Sequence, residues 1–186
     1  MRSNALSLLL VFNLLVLSCV KDEQLSQSPP ITPEILSFDL NEDASDDIMF
    51  DYSWSIADGP DDSWEIIYRT VKPLNGTFIL MNPGDDLLSL QRHDTVRANP
   101  GDTYLWKKNR TANLLSISNG PNKNSLWANK WDVESNLDLD NYYLGIKLND
   151  GTDQLIGWIK LSLDRSTAEV QILDKKFTSE AFIVIE

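Results

Sequence analysis

Tyr142-Tyr143-Leu144-Gly145-Ile146-Lys147-Leu148 runs into Asn149-Asp150-Gly151, and Gln154-Leu155-Ile156-Gly157-Trp158-Ile159-Lys160-Leu161-Ser162-Leu163 runs back out. Two apolar runs rich in Ile, Leu, Tyr and Trp, joined across an Asn-Asp-Gly turn, read as a β-hairpin. No period of 3.6 competes with that reading. Working outward, similar short runs recur at 34–40, 48–54, 64–71, 77–81, 104–107, 114–118, 126–133, 168–174 and 181–185. Between them stand turn formers: Asp58-Gly59-Pro60, Asn75-Gly76, Asn82-Pro83-Gly84-Asp85, Asn99-Pro100-Gly101-Asp102 and Asn119-Gly120-Pro121-Asn122. Turn signals at roughly this regular spacing predict an all-β protein, an antiparallel β-sandwich or jelly-roll-like single domain. One helical turn is expected near 85–90, and no internal repeat is present.

The composition narrows the function classes. Of 186 residues, 42% are hydrophobic and 24% charged, which suits one well-packed domain. Twenty-eight acids against sixteen bases leave a net charge of −12, opposite in sign to what phosphate contacts require, so no nucleic-acid partner is expected. The acidity is uneven. From Asp22 to Tyr68 there are thirteen Asp or Glu and no Lys or Arg, whereas from Arg69 to Glu186 fifteen acids nearly balance fourteen bases. With a single Cys, neither an intrachain disulfide nor a multi-cysteine metal site is open to this chain.

That Cys has a meaningful address. A charged start, Met1-Arg2, precedes a Leu- and Val-rich run at 6–17, which ends at Val16-Leu17-Ser18-Cys19. The run has the length of a secretory signal and is short for a membrane span. Val16-Leu17-Ser18-Cys19 resembles the bacterial lipobox, which implies cleavage before Cys19 and lipidation of its thiol and amine. Lys21-Asp22-Glu23 resembles the surface-export signal of lipoproteins in the Bacteroidota. The resulting division is a lipoprotein signal peptide at 1–18, a lipidated Cys and flexible linker at 19–33, and a β-sandwich domain at 34–186. Several acyl chains suffice for stable attachment. The expected location is the bacterial outer membrane, lipid-anchored and facing outward.

Tyr143-Leu144-Gly145-Ile146-Lys147-Leu148, Gly157-Trp158-Ile159-Lys160-Leu161-Ser162-Leu163 and Val170-Gln171-Ile172-Leu173-Asp174, together with Asp39-Leu40-Asn41-Glu42-Asp43-Ala44-Ser45-Asp46-Asp47, resemble a pattern of secreted and lipid-anchored β-rich proteins, many from the Bacteroidota. Ile156 stands where that pattern has an aromatic, and Lys175-Lys176-Phe177 replaces its Tyr-rich exit. The resemblance implies fold and location and carries no activity.

Within the acidic block, Asp39, Asn41, Asp43, Ser45 and Asp47 occupy alternate positions of one loop. Calcium takes six to eight oxygens, and such alternation can turn several inward. Ala44 stands where calcium loops favour Gly, and no Glu closes the loop at its twelfth position, which excludes an EF-hand. A structural calcium site and a solvated acidic hairpin both remain open at this point. Trp127 and Trp131 lie an even number apart, so one strand would place both on one face, either as core or as a platform for a polysaccharide. His93, flanked by Arg92 and Asp94, reads as an exposed turn residue, and no Gly-rich phosphate loop, HExxH or GxSxG appears.

The expected function is therefore that of a membrane-anchored, non-catalytic lipoprotein binding a polysaccharide or an envelope partner, with calcium as the one cofactor in question. Two alternatives stay open, an extracellular hydrolase of glycans or peptides and a purely structural envelope protein. An exposed aromatic patch favours binding, whereas burial of every Trp favours the structural role.

Overall fold

The computed structural model describes residues 33–58, 63–119, 132–133, 142–150, 153–164 and 167–186, with backbone alone at 56–58, 63–65, 117–119, 132–133, 150 and 153. Among the described residues twelve strands follow in chain order: β1 (Leu36–Phe38), β2 (Ile48–Asp58), β3 (Ser63–Pro73), β4 (Phe78–Met81), β5 (Thr95–Arg97), β6 (Leu105–Lys108), β7 (Ala112–Asn119), β8 (Asp132–Val133), β9 (Tyr142–Asp150), β10 (Asp153–Leu163), β11 (Val170–Thr178) and β12 (Phe182–Val184). They form two five-stranded antiparallel sheets, β1-β2-β3-β7-β8 and β11-β10-β9-β4-β6, and a two-stranded ribbon, β12-β5. The protein is all-β, as expected, and residues 31–186 form one compact unit.

The hairpin that opened the sequence reading is β9–β10, paired from Asp153↔Asp150 to Leu161↔Tyr142. Its apolar runs barely alternate because both faces of its sheet are covered. Tyr142, Leu144, Ile146 and Leu148 of β9 and Ile159 and Leu161 of β10 join Ile48, Phe50, Val71, Leu114 and Leu115 of the facing sheet in the main core. On the opposite face, Leu80, Tyr143 and Trp158 pack under Val96, Ile183 and Ile185 of the ribbon region. Two covered faces demand near-continuous apolar sequence. Tyr143 and Trp158 meet edge to face, with centroids 5.4 Å apart at 83°.

The segment at 85–90 carries no helical turn; it leaves a turn and makes two isolated strand bridges, Met81↔Leu87 and Leu90↔Tyr143. Asn82 Oδ1 accepts the Asp86 amide at 2.9 Å and Asp85 takes φ +68°, which makes a tight turn. Leu87 then enters the main core and Leu90 the second one. Leucines committed to two different cores cannot share one helix face. Strand β5 had no sequence signal, being three residues between turn formers. Of the expected strand at 126–133, residues 126–131 lie outside the described residues.

Tyr142 is fully buried, and among the described residues its hydroxyl has no hydrogen-bond partner. Burial alone pushes its pKa well above the usual tyrosine value. Removing that hydroxyl removes a desolvated, unpaired polar group while keeping the ring. Tyr142→Phe is expected to raise stability by about 1 kcal/mol in urea unfolding, and a loss of stability would disprove the unpaired hydroxyl.

Candidate functional site

The acidic loop begins as β1 ends. Asp39 gathers it: Oδ1 accepts the amides of Glu42 at 2.6 Å and Asp43 at 3.2 Å, and Oδ2 accepts that of Ala44 at 2.8 Å. Asn41 reaches Asp43 through its side-chain amide at 3.1 Å, and Asp43 Oδ1 accepts the Ser45 amide at 2.9 Å. Glu42 and Ala44 stand at φ +66° and +70°. Ala44 thus adopts the left-handed conformation that glycine would take without steric cost. Partial desolvation raises the Asp39 pKa, but four surrounding backbone amides outweigh it and hold the carboxyl below its ordinary range.

Asp47 does not face the other acids. Its side chain is buried, with Oδ2 accepting the Leu40 amide at 2.8 Å and Oδ1 the Thr77 hydroxyl at 3.2 Å. Desolvation pushes its pKa up, against those two donors and with help from the charges of Asp43 and Asp39. Asp46 presents its carbonyl to Asn75 Nδ2 at 2.8 Å, and Lys175 Nζ donates to the Leu40 carbonyl at 2.8 Å. The structure therefore brings Asp39, Asn41 and Asp43 together, adds the Ser45 amide, and turns Asp47 inward as a brace between loop and sandwich. Among the described residues, no group of three or more His, Cys, Asp or Glu stands where it could hold a metal ion.

The tryptophans divide. Trp127 and Trp131 lie outside the described residues, as does Cys19. Trp158 is core, and Trp106 is half-buried, its indole N–H donating to the carbonyls of Arg97 and Ala98, each at 3.1 Å. Trp54 is different: 65% of its surface is exposed. Ile48, Phe50, Tyr52 and Trp54 alternate along one face of β2. The first two are fully buried, Tyr52 is exposed, and Trp54 more so. The aromatic face of β2 outruns the core. No family model, curated protein or solved structure matches this chain.

Opposite Tyr52, in the register Tyr52↔Arg69, sits a buried cation. Arg69 is only 1% exposed, and its Nη1 donates to the Glu34 carbonyl at 2.6 Å. Desolvation lowers its pKa against the opposing pull of Asp51 and Glu34, and a guanidinium stays charged regardless. Its effect is mechanical. It holds the chain just before β1 and ends the β1–β2 ladder at Leu36↔Phe50. In the sequence the candidate aromatic platform is Trp127 with Trp131, and Trp54 is not singled out. Asp51-Tyr52-Ser53-Trp54-Ser55 has the alternation of a half-buried strand, and local sequence carries no mark of where the opposing sheet stops.

Proposed function

We infer that this chain is a lipid-tethered, outward-facing envelope protein of a bacterium, whose β-sandwich is a non-catalytic binding module. The observation carrying the binding role is Trp54, 65% exposed beside exposed Tyr52 at the end of β2. Large aromatics left in water cost free energy unless a partner covers them, and they are the residues that dominate binding surfaces. A purely envelope-structural protein has no need of them there. The tether rests on Cys19 within Val16-Leu17-Ser18-Cys19 and on Lys21-Asp22-Glu23. A linker at 19–33 would hold the sandwich clear of the lipid.

Calcium held by Asp39, Asn41 and Asp43 with Ser45 belongs to the same proposal as a stabiliser, with Asp47, the fifth residue of the spacing, bracing the loop from within. The loop's own amides and Lys175 already offset part of its negative charge. A bound cation would tighten a turn that can form without it. Melting temperature should therefore rise by a few degrees in millimolar calcium and return on chelation; an unchanged melting curve removes calcium from the proposal.

The tether and the binding role are tested together in cells. An alkyne-tagged fatty acid should label the wild-type protein and not Cys19→Ala, and externally added protease should reach the sandwich. Trp54→Ala should leave the melting temperature nearly unchanged, because an exposed side chain contributes little to folding, while lowering ligand binding. Absence of label on the wild type would overturn the anchored reading. A Trp54→Ala protein as unstable as a core variant would overturn the binding one.

A further inference from the structure

We propose that the free edge of β2, over residues 52–58, is a strand-addition site for an extended, basic polypeptide segment; this rests on the binding-module reading and gives it a partner. β2 pairs with β3 along its whole length, from Ile48↔Pro73 to Asp58↔Ser63, with no shift of register. On its other side, among the described residues, it carries β1 alone, and only from Ile48 to Phe50. Tyr52, Ser53, Trp54 and Ser55 are all exposed, on both faces of the strand.

The direction of the unpaired groups follows from the ladder. The Asp47 carbonyl accepts the Leu74 amide, in register with Ile48↔Pro73, so odd-numbered residues of β2 bond toward β3. Alternation in an antiparallel ladder then turns the amides and carbonyls of residues 52, 54, 56 and 58 to the open side. Tyr52 confirms it, because its amide donates to the side chain of Asp51 at 2.7 Å, a local substitute for a neighbouring strand's carbonyl.

Sheet edges are ordinarily protected by lysine, proline or a bulge. Residues 51–58, Asp51-Tyr52-Ser53-Trp54-Ser55-Ile56-Ala57-Asp58, contain neither Lys nor Pro, and the β2–β3 register shows no bulge. The chain's own linker is a poor occupant. Continuing β1 backward in register would bring Pro30 opposite Ile56, where a donor is needed, with Pro29 and Pro33 beside it. Arg69 also diverts the Glu34 carbonyl from the ladder. A second copy is disfavoured as well. Each copy brings its own acid-only stretch and a net charge of −12 to the edge, so two such edges repel one another.

Charge selects the partner. The edge lies within the stretch from Asp22 to Tyr68, which has thirteen acids and no base. A strand added here would place alternate residues beside Asp51, Ser53 and Ser55, where lysine or arginine is favoured. The intervening residues would lie beside Tyr52 and Trp54, where apolar ones are favoured. Main-chain bonds supply affinity in this mode, and alternate side chains supply selectivity.

The test uses the full chain and the peptide Lys-Thr-Lys-Val-Lys-Thr-Lys, with a Glu-for-Lys version and one N-methylated on its ladder-facing amides as controls. The basic peptide should bind saturably, slow hydrogen exchange at the amides of Tyr52 and Trp54, and weaken as salt is added. N-methylation, the Glu version, and the double variant Ser53→Lys with Ser55→Lys should each weaken binding by about tenfold or more. Equal binding of the N-methylated peptide, or no protection at Tyr52 and Trp54, overturns strand addition. A glycan array run in parallel separates the two levels: a glycan that binds through Trp54 while the peptide does not leaves the binding module and removes the peptide. If neither binds, both fall.

Discussion

Gly157→Ala is expected to lower stability by about 3 kcal/mol, at the upper end of what overpacking costs. Gly157 lies in the middle of β10, paired with Phe177 on β11 and Ile146 on β9. A Cβ built there would overlap the Lys176 carbonyl oxygen and press on the Phe177 ring and backbone. The obstruction is mostly main chain, held by the β10–β11 ladder, so relief requires parting two strands. For a domain of this size the melting temperature should fall by roughly 6–12 °C. Gly145→Ala makes the informative comparison. Its Cβ would meet Leu80 Cβ at 2.8 Å, which a small displacement of the short strand β4 relieves, and Leu80 Cδ2 at 3.0 Å and Leu90 Cδ1 at 3.3 Å, which can turn aside, so about 1–2 kcal/mol is expected. Equal costs at the two positions would show that β10 and β11 separate as easily as a leucine moves.

Asp47→Ala should cost about 3 kcal/mol, because it strands the Leu40 amide and the Thr77 hydroxyl in a buried place. Thr77→Val removes one of the same bonds, and the double variant should lose less than the two singles combined. A coupling of about 1 kcal/mol is expected from such a cycle, and strict additivity would mean that the two groups do not interact. Acidification carries a second signature. The folded pKa of Asp47 lies above its ordinary 3.8, so the stability it contributes is fully present below that value and is lost as pH rises through the folded one. Asp39 has the opposite sign. Its folded pKa is lowered, so its contribution is present above 3.8 and is lost as pH falls through the folded value. Wild type should therefore gain on Asp47→Asn as pH falls from neutral to about 4, measured by urea unfolding at each pH. A constant difference would mean that Asp47 titrates alike in both states.

Much of this fold could be read locally. The β9–β10 hairpin was visible because its turn residues and its apolar runs are contiguous, and the same holds for the β2, β3, β4 and β11 segments. Where reading failed, contacts distant in sequence had intervened. The segment at 85–90 has leucines at near-helical spacing, yet Leu87 and Leu90 serve different cores on the two faces of one sheet. β5 exists because β12, far along the chain, pairs with it at Ile183↔Val96. The acidic loop was legible as a spacing, and Asp39, Asn41 and Asp43 do meet. The fate of Asp47 depended on Thr77, thirty residues away.

The division has a physical basis. Sequence alone determined what short-range terms control: the all-β character, the turns, the concentration of acid before Arg69, and the single Cys at a lipobox-like boundary. Turn propensity, hydrophobic alternation and net charge are properties of neighbouring residues. Tertiary structure decided which aromatic faces are covered, and so where a partner could bind. Trp54 and Trp158 both sit within long strands, but Trp158 has the ribbon above it, whereas β2 runs past the last residue of the opposing core. Burial depends on where another sheet ends, and no stretch of β2 encodes that.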